Sequence, residues 1–139
     1  MQFFNFVAPR KKILIVEDYD DWRGLLAKLI DFFGYEAIEA NSAKDAIGKA
    51  FEFHPDLILL DLCLPDLTGD KVIARLKANP ATQDIPVIIT SALVERSVKN
   101  HAMLAGAAEI LEKPFDISTL QEVLNRYLTL DESKENCCG

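Results

Sequence analysis

The stretch Pro55-Asp56-Leu57-Ile58-Leu59-Leu60-Asp61-Leu62-Cys63-Leu64-Pro65 decides the fold. Its clean apolar run, Leu57 to Leu60, has the length of a buried strand and none of the spacing of an amphipathic helix. A strand that is apolar at every position must be covered on both faces, which is the condition of strands in a parallel sheet with crossover helices. Asp61 closes the run, so an acid stands where the strand leaves the core.

Further runs of this kind lie on either side, and helical patterns separate them. Strands are predicted at Lys12 to Val16, Tyr35 to Glu39, Asp56 to Leu60, Val87 to Thr90 and Ala108 to Leu111. Trp22, Leu25, Leu26, Leu29, Ile30 and Phe33 recur at helical spacing, and Gly34 supplies a left-handed stop. Ser42 opens a second helix with Ala43, Ala46, Ile47 and Ala50 inside, and a third follows Thr68 and Gly69, turns Val72, Ile73 and Leu76 inward and ends at Asn79-Pro80. The fourth is expected to bury Val94, Val98, Ala102 and Ala105 and to stop at Gly106. Asp116 can cap a fifth, whose stripe is Ile117, Leu120, Leu124, Tyr127 and Leu128. Five βα units predict an α/β fold with helices on both faces of a parallel sheet.

Composition sets the outer limits. The chain's 139 residues make one domain, and 15 basic against 22 acidic residues, a net charge of −7, leave no field for nucleic acid. No apolar run approaches the roughly 18 residues that cross a bilayer, so no membrane segment is expected. Met1 to Val7 is aromatic-rich, but Arg10-Lys11-Lys12 follows it, the wrong order for a signal peptide. The 3 cysteines form neither a disulfide framework nor a zinc spacing, which points to reducing cytoplasm.

In a doubly wound sheet the working site lies beyond the carboxyl ends of the strands. Those ends carry Glu17 and Asp18, then Asp61, then Thr90 and Ser91, then Lys113. Three neighbouring carboxylates repel unless a cation sits among them, and hard oxygens suit Mg²⁺. Asp18 and Asp61 are the candidate direct ligands, with Glu17 acting through water. Lys113, directed by Pro114, can bind a phosphoryl oxygen as a point charge. The Ser91 hydroxyl can donate to a second oxygen, and Ala92 beside it leaves room for the group.

The runs Ile13 to Asp18, Pro55 to Gly69, Pro86 to Ala92, and Gly106-Ala107 leading to Lys113-Pro114-Phe115 together resemble the receiver domain of two-component response regulators. The resemblance implies a flavodoxin-like sheet of order 2-1-3-4-5. It implies that Asp61 accepts a phosphoryl group from a sensor histidine kinase or histidine phosphotransfer protein, with Mg²⁺ as cofactor. Glu17 and Asp18 match the family's acidic pair, Lys113 its lysine, and Ser91 rather than Thr90 its hydroxyl, since the motif is Thr or Ser followed by Ala and Thr90 would face the other side of the strand. The backbone carbonyl of Cys63 matches the remaining metal ligand. Where the family usually places a switching Tyr or Phe, three residues before Lys113, this chain has Ile110.

The expected organisation is an N-terminal extension over 1–10, the receiver over 11–130 and a tail over 131–139, leaving no room for an output domain in this chain. Signal would leave through contact with a downstream protein on the fourth helix, fifth strand and fifth helix, a face also open to pairing with a second copy. Such a domain is not an enzyme beyond its own phosphorylation and dephosphorylation. Three other functions compete. An aspartate-nucleophile phosphohydrolase would want an acid at position 63, where Cys63 stands, and a flavin carrier would find its phosphate repelled by Glu17, Asp18, Asp20 and Asp21. A receiver-like scaffold that is never phosphorylated would have no use for the acid, hydroxyl and lysine set. His54 and His101 lie outside the strand-end set, Phe3, Phe4 and Phe6 could dock or fray, and Cys137-Cys138-Gly139 does not fit a prenylation box.

Overall fold

The computed structural model describes residues 9–92 and 95–128. Its elements run β1 (Lys12–Val16), α1 (Asp20–Phe32), β2 (Glu36–Ala40), α2 (Ala43–Phe53), β3 (Leu57–Asp61), α3 (Gly69–Lys77), β4 (Val87–Ser91), α4 (Arg96–Ala105), β5 (Glu109–Glu112) and α5 (Ile117–Leu128). All strand pairs are parallel and their order is β2-β1-β3-β4-β5, the order implied by the resemblance. Every residue of β3 and β4 is buried, whereas the edge strand β2 exposes Glu36 and Glu39. The apolar run from which the reading started is therefore the centre of the sheet.

Side-chain alternation sends each strand's residues to two separate cores. Ile13, Ile15, Leu57, Leu59 and Ile88 meet Leu26 and Ile30 of α1 and Leu120, Val123, Leu124 and Leu128 of α5. On the opposite face Leu14, Val16, Ile58, Leu60 and Ile89 meet the alanines of α2, Val72, Ile73 and Leu76 of α3, and Ala102 of α4. Ser42 caps α2 through its hydroxyl, which accepts from the Asp45 amide at 3.1 Å, and Gly34 ends α1 at φ +98° as expected.

Some expected faces differ. On α4 only Ala102 is fully buried, and Val98 is 39% exposed; Val94 lies outside the described residues. A repeat of four advances about 40° past each helical turn, so the stripe at 98 and 102 drifts and only one member can point squarely inward. On α5, Ile117 is 54% exposed and lines a shallow groove with Trp22, Leu25 and Phe115, while Val123 takes an inward place. The third strand starts one residue later than expected: the Asp56 carboxylate accepts from the Lys12 amide at 2.8 Å and tethers the start of β1.

Two contacts hold the loop that follows β3. Gly69 donates its amide to the Leu62 carbonyl at 3.0 Å, and a Cβ there would stand 3.1 Å from Leu62 Cα. Glycine lets α3 start this close without pushing aside the backbone after Asp61. Asp66 reaches across to α2, accepting from the amides of Ala43 at 2.9 Å and Lys44 at 3.0 Å. A carboxylate at a helix N-terminus satisfies free donors and meets the positive end of the dipole.

Candidate functional site

Parallel strands deliver their carboxyl ends to one edge of the sheet, and the strand-end residues meet there. Asp61 is the last residue of β3 and pairs with Thr90 on β4, while the Lys113 amide donates to the Ser91 carbonyl. Carboxylate oxygens of Glu17, Asp18 and Asp61 all lie within 4.8 Å of one another. Lys113 Nζ stands 2.7 Å from Glu17 Oε1 and 3.9 Å from Asp61 Oδ2. Glu17 Oε2 accepts from the Tyr19 amide at 3.2 Å, and Asp61 Oδ1 accepts from the Cys63 amide at 3.2 Å. Glu17 and Asp61 are buried, whereas Asp18 is exposed at the rim.

One lysine cannot neutralise three acids, and the imbalance falls on Asp61. Burial is the largest influence on its carboxyl and, with help from the neighbouring Glu17, raises it from 3.8 to about 6 against the pull of Lys113 and the Cys63 amide. Burial also pushes Glu17 upward, but there the Lys113 hydrogen bond, the Tyr19 amide and the Lys113 charge win, and it sits below its ordinary 4.5. The lysine thus serves Glu17 first, and the acid at the end of β3 is left with excess negative charge around it.

Ser91 is 1% exposed, and its Oγ makes no hydrogen bond among the described residues. A buried hydroxyl without a partner costs about 1–3 kcal/mol, so the position favours a ligand with acceptor oxygens. Thr90 is the register partner of Asp61, and Ser91 closes β4 one place further along. An all-oxygen acidic cluster beside a lysine and an unsatisfied hydroxyl fits a hard divalent cation together with a tetrahedral anion. Ile110 pairs with Ile89 and packs on the core shared with α3 and α4. His54 ends α2 at φ 49°, ahead of the start of β3, and His101 is exposed on α4; neither joins the site.

Arg23 was not foreseen from the sequence. Its Nη1 donates to the Glu17 carbonyl at 2.8 Å, its Nη2 to Asp20 at 2.7 Å and its Nε to Glu39 at 3.1 Å, so it clamps the acidic loop to α1 and β2. Tyr19, which the sequence did not single out, and Trp22, read only as part of the first helix's apolar stripe, line a pocket beside Lys113. The Lys113–Pro114 peptide bond is cis. The expectations placed on Phe3, Phe4, Phe6, Cys137 and Cys138 lie outside the described residues.

The response regulator receiver domain matches residues 13–125. The phosphate regulon transcriptional regulatory protein PhoB of Pseudomonas aeruginosa is 37% identical over 120 residues, covering 84% of this chain and 52% of that protein. The chain thus spans about half the length of that relative. The polar-differentiation response regulator DivK of Brucella ovis is 34% identical over 118 residues, 85% of this chain and 96% of DivK. Among solved structures, the receiver domain of sensor histidine kinase PA1611 from Pseudomonas aeruginosa superposes with a TM-score of 0.79 at 27% identity, covering 86% of this chain and 98% of that one, and that domain carries a magnesium ion coordinated in its active site cleft. No helix among the described residues is long and apolar enough to cross a membrane. With strand order, strand-end acids and these likenesses in agreement, the chain belongs to the response regulator receiver domain family, whose members are phosphorylation-activated signalling switches.

Proposed function

We propose that Asp61 accepts a phosphoryl group from a sensor histidine kinase or histidine phosphotransfer protein, and that the phosphorylated domain signals by contact with a downstream protein. The observation that carries this reading is Asp61 Oδ2 at 3.9 Å from Lys113 Nζ, within a cluster of three carboxylates. An oxygen lone pair of Asp61 forms the new bond to phosphorus as the N–P bond of phosphohistidine breaks, and its electron pair stays on the ring nitrogen. Lys113 and the Ser91 hydroxyl bind oxygens of the arriving group. Asp18, Asp61 and the Cys63 carbonyl would hold Mg²⁺, with Glu17 acting through water. When bound, the cation supplies the positive charge that lets a phosphoryl dianion approach these acids. The magnesium in the PA1611 receiver domain supports that choice of metal.

The chain performs no chemistry on other molecules in this reading, and it works in the cytoplasm. Output leaves through α4, β5 and α5, where Met103, Leu104 and Ile117 are exposed. Ile110 stands at the switch position without a ring to relocate. The test is intact mass after incubation with acetyl phosphate and Mg²⁺. A mass increase of one phosphoryl group is expected for the wild type, and none for Asp61→Asn or in EDTA. A phosphoryl adduct that survives either change removes the assignment.

A further inference from the structure

The pole of the sheet away from Asp61 carries features that the phosphorylation site leaves unexplained. Lys12 opens β1 there, and His54 and Asp56 stand just before β3. Together with Pro9, Arg10 and Phe53 they line a pocket of about 440 Å³. Exposed aromatic side chains gather in the last turns of the two helices that end at this pole: Phe32 of α1, which is 83% exposed, and Phe51 and Phe53 of α2. Arg10 reaches the same turn of α1, its Nη1 standing 3.0 Å from Asp31 Oδ1.

The described chain starts at Pro9, itself a wall of this pocket, and the residues before it read Met1-Gln2-Phe3-Phe4-Asn5-Phe6-Val7-Ala8. They hold three phenylalanines and no charged side chain, in a chain that is 27% charged. Phe6 is separated from Pro9 by at most about 11 Å of extended chain, so the tether delivers its ring to the pocket mouth. The cations Arg10 and Lys12 suit the face of an aromatic ring, whereas Asp31 and Asp56 beside them repel a free anion. The pocket thus fits an uncharged aromatic occupant. A ring tethered this closely acts at an effective concentration on the order of millimolar, far above what a second copy reaches in dilute solution.

We propose that residues 1–8 dock on their own domain at this pole, with the ring of Phe6 in the pocket against Phe53 and beside the cations of Arg10 and Lys12. Docked there, the segment covers aromatic surface left by α1 and α2 and ties the chain ahead of β1 to the turn ahead of β3. It leaves the opposite end of the sheet, with Asp61, open to partners, and it does not depend on the phosphotransfer reading.

The test is cleavage by chymotrypsin after Phe3, Phe4 and Phe6 in the full chain, followed by intact mass and compared with a synthetic peptide of residues 1–12. Cleavage tracks the undocked fraction when docking exchanges rapidly, so the wild type should be cut about tenfold more slowly than the peptide. Phe53→Asp and Phe53→Ser, verified as folded by circular dichroism, should raise the wild-type rate at least about threefold. A wild type cut as fast as the peptide overturns the proposal. So does protection that survives in the folded variants, which would mark plain steric shielding by the domain. Protection that grows across about a hundredfold range of protein concentration assigns the segment to a second copy and likewise overturns the contact proposed.

Discussion

Replacing Asp61 by Asn should make the metal-free domain more stable, although it removes the residue around which the site is built. Asparagine has nearly the same shape and can still accept from the Cys63 amide, but it carries no charge among the other two acids. The rise of the Asp61 carboxyl from 3.8 to about 6 measures how strongly the folded site resists that charge. At about 1.36 kcal/mol per tenfold change this is about 3 kcal/mol for a dry site. Asp18 at the rim is exposed, so water screens the cluster, and we expect about 1–2 kcal/mol. The sign follows from linkage. A carboxyl raised on folding contributes stability below its unfolded value, near 3.8, and that contribution is lost as pH climbs through 6.

Urea unfolding followed by circular dichroism in EDTA should therefore place the Asn variant about 0.5–1 M above the wild type at pH 7.5. At pH 4, where the folded wild type already holds the proton, the gap should close. Magnesium should narrow it from the other side, since a cation at ten times its Kd adds about 1.4 kcal/mol to the form that binds it. An Asn variant no more stable than wild type at pH 7.5, or a gap that persists at pH 4, refutes the account of charge crowding.

Three further outcomes follow from the same geometry. Arg23→Ala should weaken Mg²⁺ binding about three- to tenfold, the equivalent of about 1 kcal/mol of lost hydrogen bonding, read from the fluorescence of Trp22, with Arg23→Lys recovering part; unchanged affinity would show that the acidic loop holds itself. Gly69→Ala should cost about 1–2 kcal/mol by crowding Leu62 and slow phosphorylation of Asp61, and full stability in a thermal melt would contradict the close approach described. Cys63→Asn should speed loss of the phosphoryl group by about ten- to a hundredfold, or 1.4–3 kcal/mol of barrier, because an amide can guide the attacking water where a thiol cannot. Equal decay of the two phosphorylated proteins, followed by intact mass, would show that water positioning does not limit hydrolysis.

The sheet was legible because Leu57 to Leu60, Ile13 to Val16 and Val87 to Ile89 are apolar at every position, a pattern that few other arrangements explain. The strand-end acids and Lys113 were legible for a related reason: charged residues directly after buried runs have only one edge of the sheet to occupy. What escaped the sequence is whatever depends on a partner far along the chain. Arg23 reads as one more solvated helix residue until β2 brings Glu39 beside it. Asp66 is an ordinary loop acid until α2 presents its first amides. The inward face of α4 was misjudged because two valines and two alanines at spacings of four and three mark a stripe without fixing which member points at the core.

The two fastenings of the β3–α3 loop give the domain a direction. Gly69 pins one end of the loop to Leu62, and Asp66 rivets its middle to α2, so the flank of the site nearest β2 behaves as a rigid jaw. The opposite jaw ends in Ser91, whose hydroxyl has no hydrogen bond among the described residues. A group taken up at Asp61 as proposed would meet fastened backbone on the β2 side and the Ser91 hydroxyl on the β4 side. Sequence drift should then follow two regimes: α2 and its capping acid conserve a charge match that anchors the device, while the outward residues of α4 are left to diversify with whatever they touch.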